Sequence, residues 1–212
     1  MSLRCAFGHL VLVLSLLAAY AAESRGTLYV GSGTSGFGGP IGGSQMTWSD
    51  NGTTVTVNFT KGGGDFNDRF VLYLDTGAAG RNTIGPAVND RADRLRSAIS
   101  YIEAGANKTL TLPTGFSASY AIAIETSFGG LWSIPDTGTI GNNGLGFIAA
   151  VGHPTSNTQA AFSFSFNLAS IGLTPLSGAP IKFVATYLNY DGGDFSRGFI
   201  SNEGYGSGFP GS

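Results

Sequence analysis

The sequence predicts an all-β protein, an antiparallel β-sandwich of jelly-roll type with about eight or nine strands and one short inserted helix around residues 90–102. Three observations predict it. The 34 glycines supply turn after turn, short segments between them alternate apolar and polar residues with period two, and only one segment carries helical spacing. With 42% hydrophobic and 11% charged residues, the chain can bury a core and does not have the composition of a disordered one.

Taken in order, Met1 to Gly8 carries one positive charge, Arg4, and precedes the apolar run from Leu10 to Leu17 and the small residues Ala18, Ala19, Ala21 and Ala22. This is the pattern of a signal peptide over residues 1–21, so a secreted, extracellular or periplasmic location is expected. The run is short of the roughly 20 apolar residues that span a bilayer, and no transmembrane anchor is expected. Cleavage would remove Cys5, the single cysteine, leaving disulfides and thiolate metal sites without parts. The core alone must then stabilise the remaining chain of about 190 residues.

Residues 22–44 read as a Gly-rich leader, with an edge strand at 27–30 inside it. The sandwich domain is expected over 45–197. Residues 46–49 and 53–60 flank Asp50-Asn51-Gly52, a two-residue hairpin signal. In the second of these strands Val55, Val57 and Phe59 alternate with Thr54, Thr56, Asn58 and Thr60, which buries one face and wets the other. Residues 70–75 are nearly all apolar, as expected of a central strand covered on both faces.

The helical spacing is that of Ala92, Leu95, Ala98, Ile99 and Ile102, with Asp90 as the expected N-cap and Gly105 near the stop. Arg91, Arg94 and Arg96 fall mainly on its exposed side, where a solvated face explains them more simply than an anion site. Further strands are expected at 109–112, 120–125, 130–134, 145–152, 160–167 and 181–189. In 160–167, Phe162, Phe164 and Phe166 alternate with Ser163 and Ser165. Residues 198–212 read as a flexible Gly/Ser-rich tail, or as a short edge-pairing segment through which the chain self-associates.

Gly64-Asp65-Phe66-Asn67-Asp68-Arg69-Phe70-Val71-Leu72-Tyr73-Leu74-Asp75-Thr76, Arg96-Ser97-Ala98-Ile99-Ser100, and Leu112-Pro113-Thr114-Gly115-Phe116 leading into Tyr120-Ala121-Ile122-Ala123-Ile124 carry a resemblance. Together they resemble secreted bacterial sandwich proteins of the family-nine carbohydrate-binding module and DOMON-like superfamily, over roughly residues 45–190. The resemblance implies a sandwich fold and a sugar site in which two tryptophans enclose the ligand. Trp48 and Trp132 are the chain's tryptophans, so they are the candidate carbohydrate-binding residues. The residues themselves leave a second reading open, with Trp48 packed beneath its hairpin and Trp132 filling the core between the sheets. Tyr73 and Tyr187 read as core.

Other chemistries find fewer parts. Asp65 and Asp68 in one Gly-Asp-Phe loop, and Asp191 and Asp194 in a similar one, offer oxygen ligands suited to calcium, although turn geometry explains the same strings. No other cofactor is expected; His153 and Met46 are the residues from which a haem axial pair would have to come. No catalytic residues are assigned. Glu103 and Glu125 could in principle act as a hydrolase pair, but no nucleophile elbow, zinc helix or phosphate loop accompanies them. Ten basic against 13 acidic residues beyond Arg4, without a basic run, exclude nucleic acid as a natural partner. Asn51, Asn58 and Asn107 stand in glycosylation triplets. The expected function is a secreted, non-catalytic module whose partner is a polysaccharide or cell-surface glycan. The alternatives are a surface structural or assembly protein and, after that, a glycan-active enzyme.

Overall fold

The computed structural model describes residues 26–31, 40–103, 106–188 and 200–206. The expected signal peptide, Asp191, Asp194 and the last six residues lie outside them. The protein is an antiparallel β-sandwich with very little helix. Its elements in chain order are β1 (Thr27–Val30), β2 (Gln45–Asp50), β3 (Thr54–Thr60), β4 (Arg69–Asp75), β5 (Thr83–Ile84), α1 (Arg94–Ile99), β6 (Ile102–Glu103), β7 (Ala106–Asn107), β8 (Leu110–Thr111), β9 (Tyr120–Ile124), β10 (Gly129–Ser133), β11 (Gly146–Ala150), β12 (Ala161–Asn167), β13 (Lys182–Leu188) and β14 (Ile200–Gly206).

Two sheets form the sandwich. The smaller has the order β1-β2-β3-β12 and the larger β11-β10-β9-β4-β13-β14; the short strands form two minor ladders, β5-β8 and β6-β7. Period-two alternation in β3 and β12 does what the sequence predicts. Val55, Val57 and Phe59 pair across the ladder with Phe166, Phe164 and Phe162, all buried, while threonine, serine and asparagine face water. These rings meet Phe70, Leu72 and Leu74 of β4 and Phe183, Ala185 and Tyr187 of β13 in the core between the sheets.

The larger sheet is also covered on its other face. All seven residues of β4 are buried, because Val71 and Tyr73 point into a second core. There they meet Leu95, Ala98 and Ile99 of α1, Ala121 and Ala123 of β9, and Trp132 of β10. The long segments on either side of α1 and before β11 add Ile84, Val88, Phe116, Ile140 and Leu145 to this layer. A strand apolar on both faces therefore sits between two cores. Tyr73 and Tyr187 are core residues with anchored hydroxyls: Tyr73 donates to the Ile99 carbonyl at 2.9 Å, and Tyr187 accepts the Asp68 N–H at 2.7 Å.

The helix differs from expectation at both ends. Its N-cap is Asp93, whose carboxylate accepts the Arg96 N–H at 2.8 Å. Asp90 is fully buried instead and accepts the N–H groups of Ala92, Asn143 and Leu145 at 3.0, 2.9 and 3.0 Å. That anchoring turns the backbone inward and delays the helix by one turn. The C-terminus comes at Ser100 rather than near Gly105, because Tyr101 takes a positive φ of 51°. The hairpin between β2 and β3 is also shifted by one residue. Asn51 donates its N–H to Thr54, which puts Gly52 and Thr53 at the centre, with Gly52 at φ 85°.

Segments of the expected leader and of the expected tail join the sheets. β1, in the expected leader, pairs with β2, and Ile41 beside it is fully buried. Residues 200–206, in the expected tail, pair with β13 of the same chain as an edge strand. No helix among the described residues is long and apolar enough to cross a membrane.

Candidate functional site

Each tryptophan lines a recess, and the structure does not bring the two together. Trp48 in β2 lies between the sheets, stacked on Phe183 with centroids 4.6 Å apart and planes at 14°, and edge-on to Phe166 at 6.2 Å. Trp132 lies on the opposite face of the larger sheet, 1% exposed in the second core. This corrects the expectation that Trp132 fills the core between the sheets: the β10 ladder puts Leu131, not Trp132, on that side. The two indoles therefore do not form the sugar sandwich that the resemblance implies.

The Trp48 recess encloses about 310 Å³ between β1, β2 and the loop before β13, with Tyr29, Asp50, Leu176 and Ile181 among its walls. One indole face is already occupied by Phe183, so the ring contributes at most an edge or its second face.

The Trp132 recess is larger, about 580 Å³, and is walled by residues 92–96 at the start of α1, by Glu125, and by Phe128 and Phe147. Its geometry follows from local sequence. Glu125 donates its N–H to the Phe128 carbonyl at 2.9 Å, closing the turn from β9 to β10 and lifting the Phe128 ring to the surface. Trp132 and Phe147 are register partners across β10 and β11, with rings 5.7 Å apart at 66°. Phe128 completes the group, 6.5 Å from Trp132 and 6.2 Å from Phe147. A bulge between Leu131 and Trp132 re-aims the strand at this point. Gly130 makes room for the indole, since a Cβ there would lie 2.4 Å from the ring.

Phe128 and Phe147 are 38% and 51% exposed over the buried Trp132. Exposed phenyl rings side by side above an indole floor are uncommon on a surface of scattered single apolar residues. Charged groups frame them. The Arg96 guanidinium sits 5.7 Å from the Trp132 ring centroid and is held there by Asp93 and Asp90. Glu125 pairs with Arg69 at 3.7 Å and accepts the Ser127 hydroxyl at 2.7 Å. The recess thus joins aromatic faces to charged groups of both signs, among them the anchored Arg96 and the anchored carboxylates Asp93 and Glu125.

The remaining sequence candidates lie apart from it. Asp65 is exposed and pairs with Lys61 at 3.9 Å; Asp68 gives its N–H to Tyr187. Among the described residues, no group of three or more His, Cys, Asp or Glu side chains is placed to hold a metal ion. Met46 is fully buried between the sheets, and a ring nitrogen of His153 is 3.0 Å from the Pro154 carbonyl. The Glu103 side chain falls outside the described residues. Phe128 and Phe147 were not singled out by sequence, where a phenylalanine in the Ser127-Phe128-Gly129 turn was the available signal. No family model, curated protein or solved structure matches the chain.

Proposed function

We propose that this protein is a non-catalytic carbohydrate-binding module acting outside the inner membrane, and that its sugar docks in the Phe128–Trp132–Phe147 recess. The observation that carries the reading is the pair of exposed phenyl rings over a buried indole in a recess of about 580 Å³. A pyranose presents an apolar C–H face that packs on such rings, with hydroxyls around its rim for charged and polar partners. Arg96 and Glu125 border the rings and are already fixed by ion pairs, so little side-chain entropy is lost when a hydroxyl approaches. The sandwich fold agrees with the family resemblance, and fold similarity alone leaves the ligand open.

A glycan array of the mature protein, followed by titration of the best ligand, tests this. Phe147→Ala removes one stacking face worth about 1.5–3 kcal/mol and should weaken binding by about tenfold to a hundredfold. Its melting temperature should stay close to wild type, because the ring is half exposed. Trp48→Ala serves as the control for the other recess. Binding that survives Phe147→Ala and Phe128→Ala but is lost in Trp48→Ala would move the site, and an empty array would end the sugar reading.

A further inference from the structure

Among the described residues, the smaller sheet ends in a strand with nothing beside it. Among the described residues β1 closes one side of the order β1-β2-β3-β12 without a partner on its outer edge. Gly31 donates its N–H to Ser44, so by strand alternation Thr27 and Tyr29 also address β2. The N–H and C=O groups of Leu28 and Val30 point the other way, out of the sheet. The side chains of the same two residues are 53% and 52% exposed, on the face where their partners in β2 are Thr47 and Gln45.

Natural sheets usually blunt such an edge with lysine, proline, a bulge or a covering loop. The Thr-Leu-Tyr-Val strand has none of the first three. The outer face behind it is also free of charge. Gln45, Thr47 and Ser49 of β2, Thr54, Thr56, Asn58 and Thr60 of β3, and Ser163, Ser165 and Asn167 of β12 are all neutral. A second molecule approaching along this sheet would meet no like charge.

We infer that β1 is a self-association edge whose occupant is β1 of a second copy. The partner is identified by symmetry. An antiparallel β1 pair centred on Tyr29 sets Leu28 opposite Val30 of the other copy, and Val30 opposite Leu28. In that register each of these residues exchanges both its N–H and its C=O with its counterpart, so every outward-pointing backbone group of the strand is satisfied. The same register places each exposed Leu28 side chain against the other copy's Val30, covering the apolar pair that water otherwise contacts. The two sheets join into one continuous sheet. A four-residue strand buries far less than the roughly 1,200 Å² of a stable complex, so the association is weak and depends on concentration.

Sedimentation velocity of the protein as the cell produces it, run over increasing concentration, reads the association directly. Wild type should show a reversible monomer–dimer equilibrium on the order of hundreds of micromolar. Leu28→Lys/Val30→Lys sets lysine against lysine and should weaken it by at least about tenfold, while Leu28→Glu/Val30→Glu does the same with the opposite sign. Mixing the lysine and glutamate variants should restore a heterodimer, a rescue that neither misfolded protein could give. Four results overturn the inference: wild type monomeric at about 1 mM, association unchanged in the lysine variant, no heterodimer on mixing, or Leu28 and Val30 amides protected from exchange in dilute monomer. The last would mean that the chain's own residues cover the edge.

Discussion

Replacing Asp90 by alanine tests whether one buried carboxylate holds the wall of the recess. Asp90 is fully buried and accepts the backbone N–H groups of Ala92, Asn143 and Leu145, with Arg96 Nε at 3.7 Å from Oδ2. The Leu145 N–H is buried, so losing its acceptor costs about 2–3 kcal/mol. The other two bonds are partly buried and water can take them over, at about 0.5–1 kcal/mol each. The sum, about 3–5 kcal/mol, is of the size seen when one partner of a buried charge network is removed. With a urea slope of about 2–3 kcal/mol per molar, the denaturation midpoint should fall by roughly 1.5 M. Asp90→Asn retains the Oδ1 acceptor but can turn a donor towards the Leu145 N–H, and should lose about half as much. Because Leu145 leads into β11 and Ala92 into α1, both variants should also weaken ligand binding. A midpoint shift below about 0.5 M for Asp90→Ala would refute the assignment of these loops to a single carboxylate anchor.

Two further outcomes follow from the second core. Gly130→Ala places a methyl group 2.4 Å from the Trp132 ring and should cost about 1–3 kcal/mol, lowering the melting temperature by several degrees and altering the near-ultraviolet dichroism of the indole; a melting temperature within about 1 °C of wild type would count against the tight fit. Burial raises the pKa of Tyr73 and of Tyr187 above the ordinary phenol value, in Tyr187 against the opposing hydrogen bond from Asp68. The folded state then keeps protons that the unfolded state gives up, so this stabilising effect is complete below about pH 10 and is lost as pH rises further. In a spectrophotometric titration these two of the eight tyrosines should ionise only with unfolding, and reversible titration of every tyrosine with the fold intact would contradict it.

Period-two alternation made the sandwich legible. The Phe-Ser repeat of β12 and the Val-Thr repeat of β3 state one buried face each, and the unbroken apolar run of β4 states two. What covers the second face of β4 was not legible, since an apolar run demands cover without naming it. The helix ends differ from the sequence expectation for a related reason. Asp90 and Asp93 are equally good caps by residue type, and the choice depends on Asn143 and Leu145, some fifty residues away. The sequence also marks Trp132 as important without saying which face it takes, because Gly130-Leu131-Trp132 alternates acceptably in either register. The recess needed Phe128 from a turn and Phe147 from an edge strand to be set beside it, a meeting that arises only from the pairing of β9, β10 and β11.

The placement of β4 has a consequence for how the chain comes to its final form. β4 pairs along its whole length with β13, which follows about a hundred residues later, and on its other side with β9. During synthesis, the one described strand that is buried along its whole length therefore waits with one flank open until β13, late in the chain, has been made. Local hairpins such as β2-β3 and β9-β10 can close early, but the larger sheet cannot. Folding should accordingly be slow and governed by this late joining, and a chain truncated before residue 182 should aggregate rather than persist as a smaller soluble sandwich.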